Sequence, residues 1–358
     1  MSRDNEIRQA ALANAAAFAQ QHEVAWDREP GEKASNWGIH MQDRPPWNTL
    51  LGPVHARGPV SGVIRRGGHE LLSWGEPDRP DLTFSVAKTY LALLTGLALD
   101  RGLIDDINEA VVKRVERIGF EGAHNASVTW AQLLQQTSEW QGQCWGVPDQ
   151  VDHFRKLQFQ PTQPTGRKGE LRVLQTPGTY WEYNDVRINQ LSYALLRLFG
   201  RALPDVFREA ITDPIGASTD WRWVGYEHSW VTVDGKRVQS VPGGTHWGGG
   251  LSIGARDQAL IGQLLLDRGR CGARQLLSAE WIDAMQAPCA IAPWYGYLLW
   301  LNQTQTVFPS LPRSAYAAFG AGGSITCVLP EQDAVVVVRW IDASHADRFL
   351  ALVMNALQ

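Results

Sequence analysis

The sequence predicts an α+β protein, an antiparallel sheet of about five strands covered by the terminal helices, with an all-helical domain inserted. Three observations carry this. Short apolar runs rich in β-branched residues occur near residue 60 and again after residue 295. The chain between them reads mostly as helices. Nowhere do strands and helices alternate as a parallel doubly wound sheet requires. A sheet built from both ends assigns 1–80 and 240–358 to one domain and 81–239 to a mainly helical one, with the active site expected in the cleft between them.

Residues 5–22 read as an Ala-rich helix, and the polar stretch that follows, to about residue 57, has no clear period. PVSGVI and HELLSW then flank Arg65, Arg66, Gly67 and Gly68 as a hairpin. After the Pro-containing break EPDRPD, residues 84–102 are long and apolar enough for a buried helix that stops near Gly102. Helical patterns continue at 128–136, 186–200, 203–211, 255–269 and 278–285. Strands are expected at 295–301, 314–320, 324–329 and 334–340, the last two joined by Pro-Glu-Gln-Asp, before a closing helix, ADRFLALVMNAL. The aromatic segment 219–230 reads either as a lip over a cleft or as half-buried packing.

With 358 residues, 44% hydrophobic and 20% charged, the chain is long enough to bury a large core. Its formal charge is −4 and its basic runs are no longer than a pair such as Arg167-Lys168, which argues against a nucleic-acid partner and for a small-molecule one. Cys144, Cys271, Cys289 and Cys327 are scattered, which suggests neither a zinc site nor a disulfide framework. No apolar run reaches the length of a membrane span. AALANAAAFAQQ superficially resembles a signal peptide, but Asp4 and Glu6 spoil the basic region and Asn14 interrupts the apolar one. A cytoplasmic location is therefore expected rather than a periplasmic one.

The chain holds six lysines against 27 arginines, and Lys88 lies in the most apolar helix, where burying an ammonium is costly without partners. Ser85 precedes it by three residues and shares its helix face. A desolvated lysine can activate a serine hydroxyl, and a helix N-terminus supplies positive potential for an oxyanion. A helix-start serine followed by a lysine reaching the surface would give the same letters. A rival is Gly250-Leu251-Ser252-Ile253-Gly254, which matches a nucleophile elbow with Asp333 and His345 following in order. Its preceding text, GGTHWGGG, is a glycine-rich loop instead of a buried strand, so Ser252 otherwise reads as a helix start. His246, beside Trp247 in that loop, either lines a pocket or is a structural histidine.

The S-x-x-K pattern at the start of a buried helix, directly after a hairpin, resembles the nucleophile motif of the serine β-lactamase and penicillin-binding superfamily. PGTYWEYNDVRINQLSYALL supplies that family's loop tyrosine as Tyr183, with Asn184 and Asp185 following. VTWAQLLQQTSEW and WGGGLSIGARDQALIGQLLLDRG, with LLSAEWIDAM behind it, also look like the family, so the likeness covers about 55–340. It implies a β-lactamase/transpeptidase-like fold and an acyl-enzyme on Ser85. Lys88 and Tyr183 would shuttle protons, and the N–H groups of Ser85 and Ala321 would hold the oxyanion. Neither cofactor nor metal is implied. Asp185, Arg187, His246, Trp247, Gly320 and Gly322 are the residues expected to contact substrate.

Two departures from the family pattern matter. The third motif normally carries a basic residue, yet no Lys or His precedes Gly320, which predicts a preference for neutral or cationic acyl substrates over carboxylates. That places the chain nearer the superfamily's esterases and 6-aminohexanoate-oligomer hydrolases, with a β-lactamase or D-alanyl peptidase as one alternative and a non-catalytic ligand-binding protein as another. Arg187, four positions after Tyr183, is the nearby residue that could restore an anion site. Asp185 stands where many relatives carry Asn, either fixing Lys88 as a cation or capping the next helix.

Overall fold

The computed structural model describes residues 3–31 and 38–358; residues 32–37 of the polar stretch lie outside the described residues. Helix α1 (Arg3–Gln21) leads to the hairpin β1 (Ser61–Arg66) and β2 (His69–Trp74). A short strand β3 (Asp81–Leu82) feeds α2 (Val86–Asp100). The helical part continues with α3 (Trp130–Leu134), the ribbon β4 (Gln143–Cys144) and β5 (Val147–Pro148), α4 (Asp185–Phe199) and α5 (Leu203–Phe207). Then come β6 (Arg222–Val224), the hairpin β7 (Trp230–Val233) and β8 (Lys236–Gln239), β9 (Gly250–Ile253) and α6 (Ala255–Leu266). The ribbon β10 (Arg270–Cys271) and β11 (Arg274–Gln275) precedes α7 (Ala279–Met285). Strands β12 (Trp300–Leu301), β13 (Tyr316–Gly320), β14 (Ser324–Leu329) and β15 (Ala334–Arg339) lead into α8 (Ala346–Leu357).

The main sheet has six antiparallel strands in the order β12-β13-β14-β15-β1-β2. Both ends of the chain meet where β1 pairs with β15, Val63 lying opposite Val337. Alternation along β15 explains how an unbroken apolar run serves a central strand. Val335 and Val337 join Val63 against Ala255 and Ala259 of α6, while Val336 and Val338 enter the main core on the other face. There α1 packs along α8 and touches β2, and Trp74 meets Phe349 with ring centroids 5.9 Å apart. Gly262 lets α6 lie this close, because a Cβ there would sit 2.5 Å from Val335 Cγ1.

The structure alters several expectations. The strand anticipated at 295–301 is reduced to its last two residues, because Leu298 takes φ +53 and Gly296 N–H closes a turn onto Leu299 O. Trp221 and Trp223 are buried against Phe207 at 5.5 and 5.8 Å, so this part of segment 219–230 contributes to the core, while the exposed Trp230 lines a hollow separate from the one at Ser85. Ser252 sits inside β9, between β3 and β6, and not at a helix start. The β7–β8 hairpin turns through Asp234 and Gly235, both with positive φ, as a two-residue hairpin turn demands. Among the described residues no helix is long and apolar enough to cross a membrane, and all four cysteines are free thiols.

Candidate active site

Ser85 is positioned by a strained turn. Phe84, between β3 and α2, adopts φ +52, a left-handed conformation uncommon for a bulky side chain. Its buried ring packs edge-on against Trp26 and Trp340, at 5.5 and 6.2 Å, which fixes the backbone there. The chain is thereby turned from β3 straight into α2, a helix whose residues Val86 to Ala98 are all buried. Ser85 occupies the position that ordinarily caps a helix, yet its hydroxyl makes no capping hydrogen bond. It accepts one from Lys88 Nζ at 2.9 Å instead. Lys88 is 1% exposed, so it does not reach for the surface.

Around that ammonium the partners converge from two further segments, 183–185 and 243–244. Gly243 O lies 3.4 Å from Nζ, Asp185 forms an ion pair with it, and the Tyr183 ring centroid is 4.9 Å away. Gly244 must be small: a Cβ there would stand 3.1 Å from Lys88 Nζ and 3.4 Å from Ser85 Oγ. Helix α4 is capped by Asn184, whose side chain accepts from Arg187 N–H at 3.2 Å. Asp185 is consequently not the cap, and its carboxylate serves Lys88. Tyr183 is stacked on Trp300 at 5.9 Å, which fixes its ring beside the lysine.

Behind Asp185 lies a buried charge network. Its Oδ2 accepts from Arg155 Nη1 at 2.5 Å and from His246 Nδ1 at 2.6 Å. His246 Nε2 stands 2.8 Å from Asp43 Oδ2, which also accepts from Trp247 Nε1 at 2.9 Å. Asp152 Oδ2 accepts from the Asp185 N–H at 2.7 Å, and Lys168 pairs with both Asp43 and Asp152. Burial alone would raise the Asp185 carboxyl, but Arg155, Lys88 and His246 outweigh it and hold the group well below the usual carboxylate range. Asp152 is likewise lowered against its burial, by Arg155, Lys168 and His246. Asp43, Asp152 and His246 place potential metal-ligand atoms within 4.8 Å of one another. The Lys168 ammonium already supplies the positive charge between those carboxylates.

A cavity of about 250 Å³ opens at Ser85 and is also lined by Tyr183, Ala321 and Gly322. Trp26, Leu157, Phe159, Trp300 and Phe319 make its walls largely apolar. Strand β13 ends against the nucleophile turn: a Cβ on Gly320 would lie 2.1 Å from Thr83 O and 3.1 Å from Ser85 N. Ala321 follows directly, in a tight turn with Gly322 at φ +69.

Other expected contacts fall elsewhere. Arg187 is 2% exposed and bound to Trp140 O, Glu139 and Asp149, so its guanidinium is committed to a buried ion network and not to the cavity. His246 and Trp247 are stacked at 3.9 Å and sealed behind Asp185, which makes His246 a structural histidine. Ser252 Oγ is near His55 Nε2 at 3.5 Å, whereas Asp333 lies in the turn before β15 and the half-buried His345 packs at a tilt against His22. The elbow triad is therefore not assembled. Asp43, Asp152, Arg155 and Lys168 escaped the sequence reading because they come from irregular segments with no periodicity. The one usable signal was the glycine run at 243–250, whose first members do approach the reactive pair.

A profile of the family described as Beta-lactamase matches residues 56–349. The chain belongs to this family. Solved structures agree on the fold at low identity. EstCE1, a hydrolase with promiscuous acyltransferase activity, is 13% identical, with a TM-score of 0.61 over 98% of this chain and 99% of its own. A penicillin-binding protein homologue from Caulobacter crescentus is 14% identical, with a TM-score of 0.58 and 98% of each chain covered. A Bacillus anthracis protein provisionally named a 6-aminohexanoate-dimer hydrolase is 17% identical, with a TM-score of 0.59, 83% of this chain and 78% of that one being covered. No curated protein matches the sequence.

Proposed function

We propose that the protein is a serine hydrolase that cleaves an ester or amide of a small substrate through an acyl-enzyme on Ser85. The observation that carries this is the 2.9 Å contact between Ser85 Oγ and the buried Lys88 Nζ at the mouth of α2, inside a cavity shared with Tyr183. The serine oxygen attacks the substrate carbonyl as its proton passes to the Tyr183 oxygen, while the Lys88 ammonium, held by Asp185, offsets the negative charge that develops beside it. The carbonyl oxygen becomes an oxyanion held by the N–H groups of Ser85 and Ala321, a role supported by the close approach of Gly320 to Ser85 N. Collapse breaks the bond to the leaving group, which departs with the shuttled proton. Water then repeats the sequence in reverse and frees Ser85.

Asp185 fixes the ammonium through one carboxylate oxygen while Arg155 and His246 hold the other. The apolar walls favour an acyl or alcohol portion with aliphatic or aromatic surface. Ala318 stands two residues before Gly320, where the basic residue of a K-T-G pattern would lie, and this favours the esterase or amidase reading. The test is labelling with a fluorophosphonate followed by peptide mapping. A single adduct on Ser85, with hydrolysis of a short-chain nitrophenyl ester, is the expected result; an unlabelled protein without turnover would favour a binding protein.

A further inference from the structure

A second cavity of about 430 Å³ adjoins the first, and the two share Gln42, Arg155 and Lys156. Of the eight residues that line it, four are cations, Arg155, Lys156, Arg167 and Lys168, and none is acidic. Three of the four have counter-charges: Arg167 pairs with Glu170, Lys168 with Asp43 and Asp152, and Arg155 with Asp185 and Asp152 through Nη1 alone. Lys156 is exposed and forms no ion pair among the described residues. Arg155 is 8% exposed and donates only through Nη1, to Asp185 and Asp152, while its Nε and Nη2 form no hydrogen bond among the described residues. A guanidinium anchored at one nitrogen and unpartnered along its other edge is preorganised for an oxyanion acceptor.

We propose that this basic groove is an anion subsite, in which Arg155 and Lys156 bind a carboxylate or phosphate carried by a substrate whose apolar portion fills the cavity at Ser85. The proposal rests on the serine-hydrolase reading for the word substrate, and its cations come from the loop at 155–168, not from β13. The preference for neutral or cationic substrates follows from β13 alone only if no other element supplies positive charge, and this loop supplies it. A free ammonium at the groove mouth also raises the local concentration of anions, an effect that weakens with salt.

Equilibrium binding tests the subsite without requiring turnover. The full chain is titrated calorimetrically with 4-phenylbutanoate, 4-phenylbutyl phosphate and the uncharged 4-phenylbutanol, in wild type and in Lys156→Glu. Both anions, or one of them, should bind at least about tenfold more tightly than the alcohol, and Lys156→Glu should remove that advantage while leaving the alcohol unaffected. Tighter phosphate binding would identify a phosphate-bearing ligand, and equal or tighter carboxylate binding a carboxylate-bearing one. If the alcohol binds as well as the anions, or if Lys156→Glu changes nothing, the subsite is rejected. Fluorophosphonate labelling of the same preparation separates the two claims, since failure to label with anion binding intact would reject the hydrolase and keep the groove.

Discussion

Lys88 and Asp185 form an ion pair at almost complete burial, their side chains 1% and 3% exposed. An ion pair so placed stabilises the native state only because further groups satisfy it, and here Ser85, Gly243, Arg155 and His246 do so. Asp185→Asn keeps the shape but leaves Lys88 and Arg155 without their shared counter-charge. The expected cost is about 3 kcal/mol, read as a lower urea midpoint at neutral pH. The pH dependence has a defined sign. Because the folded carboxyl is held below its ordinary value of 3.8, its contribution is fully present above that value and is lost as pH falls towards the folded one. The gap between wild type and variant should therefore be constant from neutral pH to about 5 and shrink below about 4. A gap that stays constant in acid would contradict the assignment.

Two serines compete for the nucleophile, and their surroundings decide between them. Ser85→Ala should abolish covalent labelling and ester hydrolysis. Ser252→Ala removes a hydroxyl within strand β9 whose near partner is His55 at 3.5 Å, and most activity should remain. The reverse pattern would move the chemistry to β9.

The sheet was legible because β-branched runs such as the one in β15 leave few alternatives once turn residues bound them. The reactive pair was legible for a different reason: a lysine inside an unbroken apolar helix is a local anomaly that a reader of one segment can see. Asp43, Arg155 and His246 are not of that kind. Each is an ordinary polar residue in an irregular stretch, and only the folded chain shows that Arg155 and His246 share the Asp185 carboxylate while Asp43 holds the far side of His246. Arg187 shows the opposite error. Its place after Tyr183 suggested the cavity, but α4 turns its side chain towards Glu139 and Asp149. The β7–β8 hairpin had a recognisable Asp-Gly turn, masked by the tryptophans before it.

Lys88→Met tests the proton shuttle. Asp185 retains Arg155 and His246 as partners, so the fold should survive loss of the ammonium. Hydrolysis should fall at least about 100-fold, the lower range for a positioned acid–base group. Full turnover in a folded variant would reassign the shuttle.

Gly320→Ala probes the junction between β13 and the nucleophile turn. The added methyl would lie 2.1 Å from Thr83 O and 3.1 Å from Ser85 N, so the turn must shift and carry the Ser85 N–H with it. Loss of one aligned oxyanion donor is worth about 100-fold in turnover. The expected outcome is a folded protein whose kcat falls by that order while the midpoint of unfolding moves little. Near-normal kcat would remove β13 from the oxyanion site.

Arg187→Met separates a structural arginine from a substrate-binding one. The guanidinium donates to Trp140 O and Glu139 and reaches Asp149, and the Glu139 side chain has no solvent exposure. Burial raises the Glu139 carboxyl, yet Arg172 and Arg187 hold it below its ordinary value, so the pair contributes stability above that value. Removing Arg187 leaves Arg172 on Glu139 and Glu182, and His153 with the Gly142 N–H on Asp149, among the described residues. The expected loss is about 3 kcal/mol of stability, measured by urea unfolding at neutral pH. Substrate selectivity should not follow. The ratio of kcat/KM for an ester with a terminal carboxylate to that for its neutral analogue should match wild type, because this arginine faces an internal network. If the ratio collapses in a variant that is still folded, Arg187 must reach the substrate, and the assignment of the anion subsite to Arg155 and Lys156 would have to give way to it.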